Sequence, residues 1–371
     1  MAKNTGKASN KSTGKPSTGK KISKKAAAKK KRRRILFIIE AIVFVVLIGV
    51  LFVMSKLDKL DRSVDVNEDN LKANEGITNI KEITEGYTNV ALFGVDARDG
   101  KLGKGTNSDT IMIASINNKT GDIKLCSVYR DTYLNLSDDT YKKANAAYLH
   151  GGPEQAIKML NMNLDLNITK YVSIDFNAIV TVVDILGGIE IDVQEDEIDH
   201  LNNYTVETSA VTGVQTTKLT KTGLQTLDGV QATSYARIRY TSGGDYKRTE
   251  RQRLVLEKIA EKAKKANLAT LNRIVDKVSP GISTNFSTPE IFGLVADIAK
   301  YNLADQTGFP FEKTTKNWTK KIGDVVIPIT LESNVSQLHQ FLFAEENYSP
   351  SPTVQAISKK IIEDTGISEV K

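Results

Sequence analysis

Twenty consecutive residues, Ile35 to Met54 (ILFIIEAIVFVVLIGVLFVM), carry a single charge, Glu40. As a helix, that length of apolar chain matches the hydrocarbon core of a bilayer. The run is therefore expected to cross a membrane and to divide the chain in two. Residues 1–34 hold 14 Lys and Arg and no Asp or Glu. Positive flanks stay on the cytoplasmic side, which places the N-terminus in the cytoplasm and everything after Lys56 outside the cell membrane. The run is too long, and too far from the N-terminus, for an ordinary cleaved signal. Glu40 lies about one and a half turns in, close enough to the basic edge to reach it.

The tail also explains the overall charge. The chain is +7 as a whole, so without the tail's positive charges residues 35–371 carry −7. The tail is rich in Lys, Ser, Thr, Gly and Ala and has no apolar periodicity, which reads as disorder. A nucleic-acid-binding tail is the competing reading, and the apolar run that follows without a break argues against it. The one cysteine, Cys126, sits in an apolar stretch and reads as a buried small hydrophobe with no internal disulfide to make. His150, His200 and His339 lie in no metal-ligand spacing and read as structural or surface residues.

Residues 55–87 are polar and charged and read as a spacer. A domain over residues 88–346 follows, then a tail over 347–371 that reads as weakly helical at best. Asn89 to Val95, Thr110 to Ser115 and Asp122 to Tyr129 are expected strands with tight links, an antiparallel start to a sheet. Further strands are expected at Lys170 to Ile174, Ile189 to Val193 and Asp324 to Leu331. Helices are expected from about Glu154 to Met162, over Leu268 to Val278, from Thr288 to about Leu303 and over Val335 to Phe343. Glu195 to Tyr204 reads as an acidic loop. The fold class is α/β, a mixed central sheet flanked by helices.

Ser234 to Val255 concentrates cations. Arg237 and Arg239 fall two apart in a run that reads as a strand, on one face. Gly243 and Gly244 make a turn. On the helix expected after it, Arg248, Arg251, Gln252 and Val255 follow i, i+3, i+4, i+7 spacing. Planar guanidinium groups beside a helix N-terminus suit phosphate oxygens. A solvated basic helix face is the plainer reading. Charged clusters also end the early strands: Asp96 with Arg98, Asp109, and Arg130 with Asp131. Asp96 and Asp109 suit a hard divalent cation, and equally suit surface turns with a structural Arg130–Asp131 pair.

Seven ordered blocks decide between these readings: GVDARDG, TNSDTIMIASIN, SVYRDTYL, KANAAYLHGG, DFNAIVTVVDILGGIEIDV, LDGVQATSYARIRY and DYKRTERQRLV. In this order they resemble the LytR-CpsA-Psr family, densely from Asn89 to Lys265 and weakly to Phe343. The resemblance implies a membrane-anchored phosphotransferase. It would move an anionic glycopolymer, of wall teichoic acid or capsule type, from a polyprenyl-pyrophosphate carrier to peptidoglycan in a Gram-positive envelope.

The same resemblance implies Mg²⁺ or Mn²⁺ on Asp96 and Asp109. It implies pyrophosphate binding by Arg98, Arg130, Arg237, Arg239, Arg248 and Gln252, with Arg130, Asp131 and Arg239 as the catalytic set. Asp131 or Asp99 would receive the acceptor proton. Phe176, Ile179, Val180, Val183 and Leu186 are either walls of a lipid tunnel or ordinary core. Asn107 stands where the family often has an arginine. A non-catalytic envelope regulator that binds polyprenyl phosphate, and a carrier-lipid pyrophosphatase, are the alternatives.

Overall fold

The computed structural model describes residues 66–71, 74, 78–97, 101–319 and 322–369. The expected tail 1–34, the span 35–54, and Arg98 and Asp99 lie outside the described residues. Among the described residues no helix is long and apolar enough to cross a membrane.

Strands β1 (Tyr87–Val95), β2 (Ser108–Asn117) and β3 (Asp122–Val128) pair antiparallel in chain order, as their short links predict. β4 (Tyr133–Asn135) and β5 (Tyr141–Lys143) form a small hairpin. β6 (Lys170–Asp175) joins β1 in parallel, which requires the long crossover that precedes it. β7 (Ile189–Val193) and β8 (Gly223–Leu227) make a separate pair. β9 (Ile282–Thr284) adds to β6 and β10 (Asn302–Phe309) adds to β3, so the main sheet runs β10-β3-β2-β1-β6-β9. β11 (Lys313–Thr319) and β12 (Gly323–Pro328) close as a hairpin.

Alternation along β1 separates the two faces of the sheet. Ala91, Phe93 and Val95 join one core, and Val90 and Leu92 lie with another. The short α1 (Glu68–Leu71) and α2 (Thr78–Thr84) precede β1. The crossover helix α3 (Asn145–Leu164) packs Ala156, Ile157 and Leu160 on the first face. A third core gathers around α4 (Phe176–Ile185) and the β7–β8 pair. It takes Leu201 from α5 (Glu195–Thr212), Ala232 from α6 (Gly229–Tyr235), Val255 from α7 (Gly244–Lys265) and Val278 from α8 (Leu268–Val278). On the second face Phe286 packs with Ile291 and Leu294 of α9 (Thr288–Ala296). α10 (Leu331–Phe343) and α11 (Pro352–Thr365) complete the first face.

Four expectations are corrected. Arg237 and Arg239 are not on a strand: α6 ends at Tyr235 and both lie in the turns that follow. Residues 195–212 are helical, not a loop. Three acidic residues sit in the first turn of α5, favoured by the helix dipole, and Gln194 and Glu197 close a capping box. The stretch to Leu303 is not one helix, because α9 stops at Ala296 and β10 begins at Asn302. The C-terminal tail is ordered: Ser351 caps α11, which buries Val354, Ile357 and Ile361 in the main core.

Candidate functional site

A cavity of about 410 Å³ lies between the second face of the sheet and helices α4 and α7. Leu92, Met112, Val172 and Ile174 line its sheet side. Phe176 and Ile179 come from α4, and Val255 and Leu256 from α7. Of the residues expected as tunnel wall or ordinary core, Phe176 and Ile179 line this cavity. Val180 and Val183 are core residues, and Leu186 packs against the core around α4.

The charged lining is Asp109, Arg130, Asp175, Arg237, Arg239 and Arg248, with Gln252 beside Arg248. The fold explains how residues so far apart in sequence meet. At the end of the β1–β2 ladder Gly94 faces Thr110 and Val95 faces Ser108, so the register skips Asp109. A bulge of this kind re-aims a side chain. Asp109 thereby lines the cavity, and Asp96 follows Val95 on the adjoining strand end. Arg130 leaves the end of β3 and pairs with Asp109. Gly243 and Gly244, at φ of 89° and 51°, make the left-handed turn that starts α7. One and two turns on, Arg248 and Gln252 reach the same space.

Asp245 is the carboxylate that draws the arginines together. Its Oδ1 lies 2.9 Å from Nη2 of Arg248, 3.6 Å from Nε of Arg239 and 3.8 Å from Nε of Arg130. Burial raises its pKa, although Arg248 and Arg130 pull the other way. Burial lowers the pKa of Arg248, whose side chain is only 3% exposed. The sequence reading gave Asp245 no role. Its signal was present, an acid three residues before Arg248 in the first turn of a helix whose other cations needed a partner.

Arg237 is held on both flanks. It donates to Glu207 at 2.8 Å and to Thr208 at 3.0 Å. Its guanidinium lies 4.9 Å from the ring centre of Phe176 and 5.3 Å from that of Tyr204. Asp131 is not part of the lining. It pairs with Lys143 at 3.1 Å and lies 3.7 Å from Arg130. Arg251 is structural, buried against Glu197. Asn107 is exposed and is not part of the cavity lining.

Three buried polar atoms of the lining have no hydrogen-bond partner: Nε of Arg130, Nε of Arg248 and Oε1 of Gln252. Buried polar groups are almost always satisfied. Unpaired guanidinium donors at the charged end of an apolar cavity suit an anionic head group on an apolar chain. Asp109 and Asp96 on adjoining strand ends could share a hard divalent cation with phosphate oxygens. Among the described residues, no group of three or more His, Cys, Asp or Glu could hold a metal ion by itself.

The LytR_cpsA_psr family model matches residues 51–323. The chain belongs to the LytR_cpsA_psr family. Its relatives include the polyisoprenyl-teichoic acid–peptidoglycan teichoic acid transferase TagU of Enterococcus faecalis, 30% identical over 70% of this chain and 82% of that protein. The corresponding transferase TagT of Bacillus subtilis is 28% identical over 65% of this chain and 74% of that protein. Among solved structures, protein gbs0355 from Streptococcus agalactiae is 26% identical, with a TM-score of 0.60 over 73% of this chain and 92% of that one. This LytR_cpsA_psr member thus shares the mixed α/β fold of the family, and relatives that it matches over most of their length are named as teichoic acid transferases.

Proposed function

We propose that this protein is a membrane-anchored phosphotransferase that moves an anionic glycopolymer from a polyprenyl-pyrophosphate carrier to peptidoglycan. The carrying observation is the meeting of Arg130, Arg237, Arg239, Arg248 and Gln252 at the charged end of an apolar cavity. The cavity takes the start of the polyprenyl chain. The unpaired donors of Arg130 and Arg248 take the pyrophosphate oxygens. The apolar run at 35–54 anchors the chain, with its N-terminus in the cytoplasm and the domain outside, where both substrates lie. The teichoic acid transferase relatives support the same reading.

The acceptor hydroxyl oxygen attacks the phosphorus next to the saccharide. A new P–O bond forms, and the bond to the bridging oxygen breaks. The electron pair leaves on polyprenyl monophosphate, whose growing charge the arginines stabilise. The hydroxyl proton passes to Asp245. Burial raises the proton affinity of that carboxylate, which touches Arg130, Arg239 and Arg248 of the cavity, whereas Asp131 reaches only Arg130 among them. Asp109 and Asp96 are the residues that would hold Mg²⁺ or Mn²⁺, which neutralises phosphate charge when bound.

The test combines full-length protein, a polyprenyl-pyrophosphate saccharide and peptidoglycan fragments, and follows release of polyprenyl monophosphate. Release that needs both acceptor and Arg239 supports transfer. Release without acceptor would make the protein a pyrophosphatase, and tight lipid binding with no release would make it a regulator.

A further inference from the structure

A second cationic cluster lies beside the site and takes no part in the cavity. Tyr129 precedes Arg130 in the chain and Tyr246 follows Asp245, so each aromatic is bonded to a charged residue of the site. Their ring centres are 4.6 Å apart, edge to face. The ammonium of Lys313, on β11, stands 5.1 Å from the Tyr129 ring centre and 4.9 Å from that of Tyr246. The Tyr246 hydroxyl lies 3.1 Å from Oγ1 of Thr315.

Two observations suit this cluster to a ligand. Lys313 donates to the carbonyl of Phe311 at 3.2 Å and has no carboxylate partner among the described residues. Burial lowers its pKa. Arg253 is 7% exposed, and its Nε and Nη1 have no hydrogen-bond partner. Tyr246 and Arg253 are seven residues apart and so share one side of α7, roughly 140–160° around the axis from Arg248. Around the helix Asp245 thus lies between Arg248 and this cluster, and Leu256, which lines the cavity, is only about 60–80° from Arg253 and Tyr246.

The geometry of displacement gives the cluster a use. The leaving phosphate points into the apolar cavity, so an in-line nucleophile must come from the other side. We propose that Lys313, Arg253, Tyr129 and Tyr246 form the acceptor subsite, which takes a carboxylate-bearing saccharide. Lys313 binds the carboxylate, the buried Arg253 adds positive charge, and the half-buried Tyr246 ring offers an apolar wall to the sugar, with Tyr129 held in the core. The assignment rests on the transfer reading above and specifies the acceptor side of it. A cation–π staple between β11 and α7 is the plain structural alternative.

The test uses full-length protein in lipid nanodiscs, as wild type, Lys313→Met and Lys313→Arg. The acceptor is a soluble peptidoglycan fragment with its carboxylates free or amidated. Lys313→Met is expected to raise the acceptor KM about tenfold, with affinity for polyprenyl pyrophosphate unchanged. Lys313→Arg recovers most of the loss, and amidation of the acceptor reproduces it on the wild type. Equal acceptor KM in all three proteins would overturn the subsite. So would a joint fall in melting temperature and lipid affinity, as a staple requires. Calorimetric binding of the fragment without lipid separates the two claims. Lys313-dependent binding by a wild type that transfers nothing would sink the transfer reading alone. Transfer indifferent to Lys313 would sink the subsite alone.

Discussion

Arg251 and Glu197 meet at 2.8 Å with side chains only 2% and 3% exposed. Arg251 also donates to the carbonyl of Ile238 at 3.2 Å and to Oγ1 of Thr241 at 2.7 Å. These bonds brace the turn that carries Arg239 from behind. Loss of one partner leaves a buried charge uncompensated, at a cost of about 3–5 kcal/mol. Glu197→Ala should lose about that much in a urea titration, and Glu197→Leu with Arg251→Met should recover most of it. Equal losses in the single and double variants would contradict this account of the pair.

Arg130 and Arg239 have the opposite character. Each keeps part of its side chain in solvent, 16% and 32%. Arg130→Ala or Arg239→Ala should lower the transfer rate about 10²–10³-fold, the usual cost of removing one group that stabilises developing charge. Melting temperatures should barely move. Collapse of the fold in both variants would make these arginines structural.

Acid should destabilise the protein through His339. The ring is buried and stacked 3.6 Å from Tyr348, and burial holds its pKa down at about 4, against 6.5 for the free side chain. The unfolded chain therefore binds a proton first as pH falls. Stability from this group is full above pH 6.5 and is lost as pH falls towards 4. The shift corresponds to roughly 3 kcal/mol. His339→Gln should flatten that part of the stability–pH curve, and an unchanged curve would show the histidine to be uninvolved.

The cavity wall should select for lipid. Leu92→Trp places an indole in the cavity proposed for the start of the polyprenyl chain. Affinity for a long-chain polyprenyl pyrophosphate should fall at least about tenfold, while inorganic pyrophosphate still binds. Equal loss of both ligands would show damage to the arginine cluster instead.

Asp96→Ala should raise the Mg²⁺ concentration needed for half-maximal transfer by about tenfold or more. Unchanged metal dependence would remove Asp96 from the metal site.

Much of this was legible in the chain. The strands from Asn89 to Val128 showed because buried strands are apolar and their turns carry Asn and Gly. The arginines that line the cavity stood out because ordered blocks carried a family resemblance, although the strand expected for Arg237 and Arg239 is a turn. Three things did not show. β10 (NLADQTGF) is a half-exposed edge strand, so it lacks apolar alternation. α5 carries no clear apolar stripe, and its acidic first turn resembled a loop. The pairing of Asp245 with Arg248 was readable from their spacing, but its contacts with Arg130 and Arg239 come from parts of the chain that only the fold unites. Arg251 shared a helix face with Arg248 and Gln252 in sequence, yet a modest rotation turns it to Glu197.

One measurement reaches the central claim most directly. The phosphorus next to the saccharide is labelled in the carrier, and the label is followed after incubation with full-length protein and peptidoglycan. Transfer predicts labelled phosphodiester in the peptidoglycan, unlabelled polyprenyl monophosphate in the lipid phase, and neither product with Arg239→Ala. Label released to solution as a saccharide phosphate would mean water is the acceptor and would contradict the account.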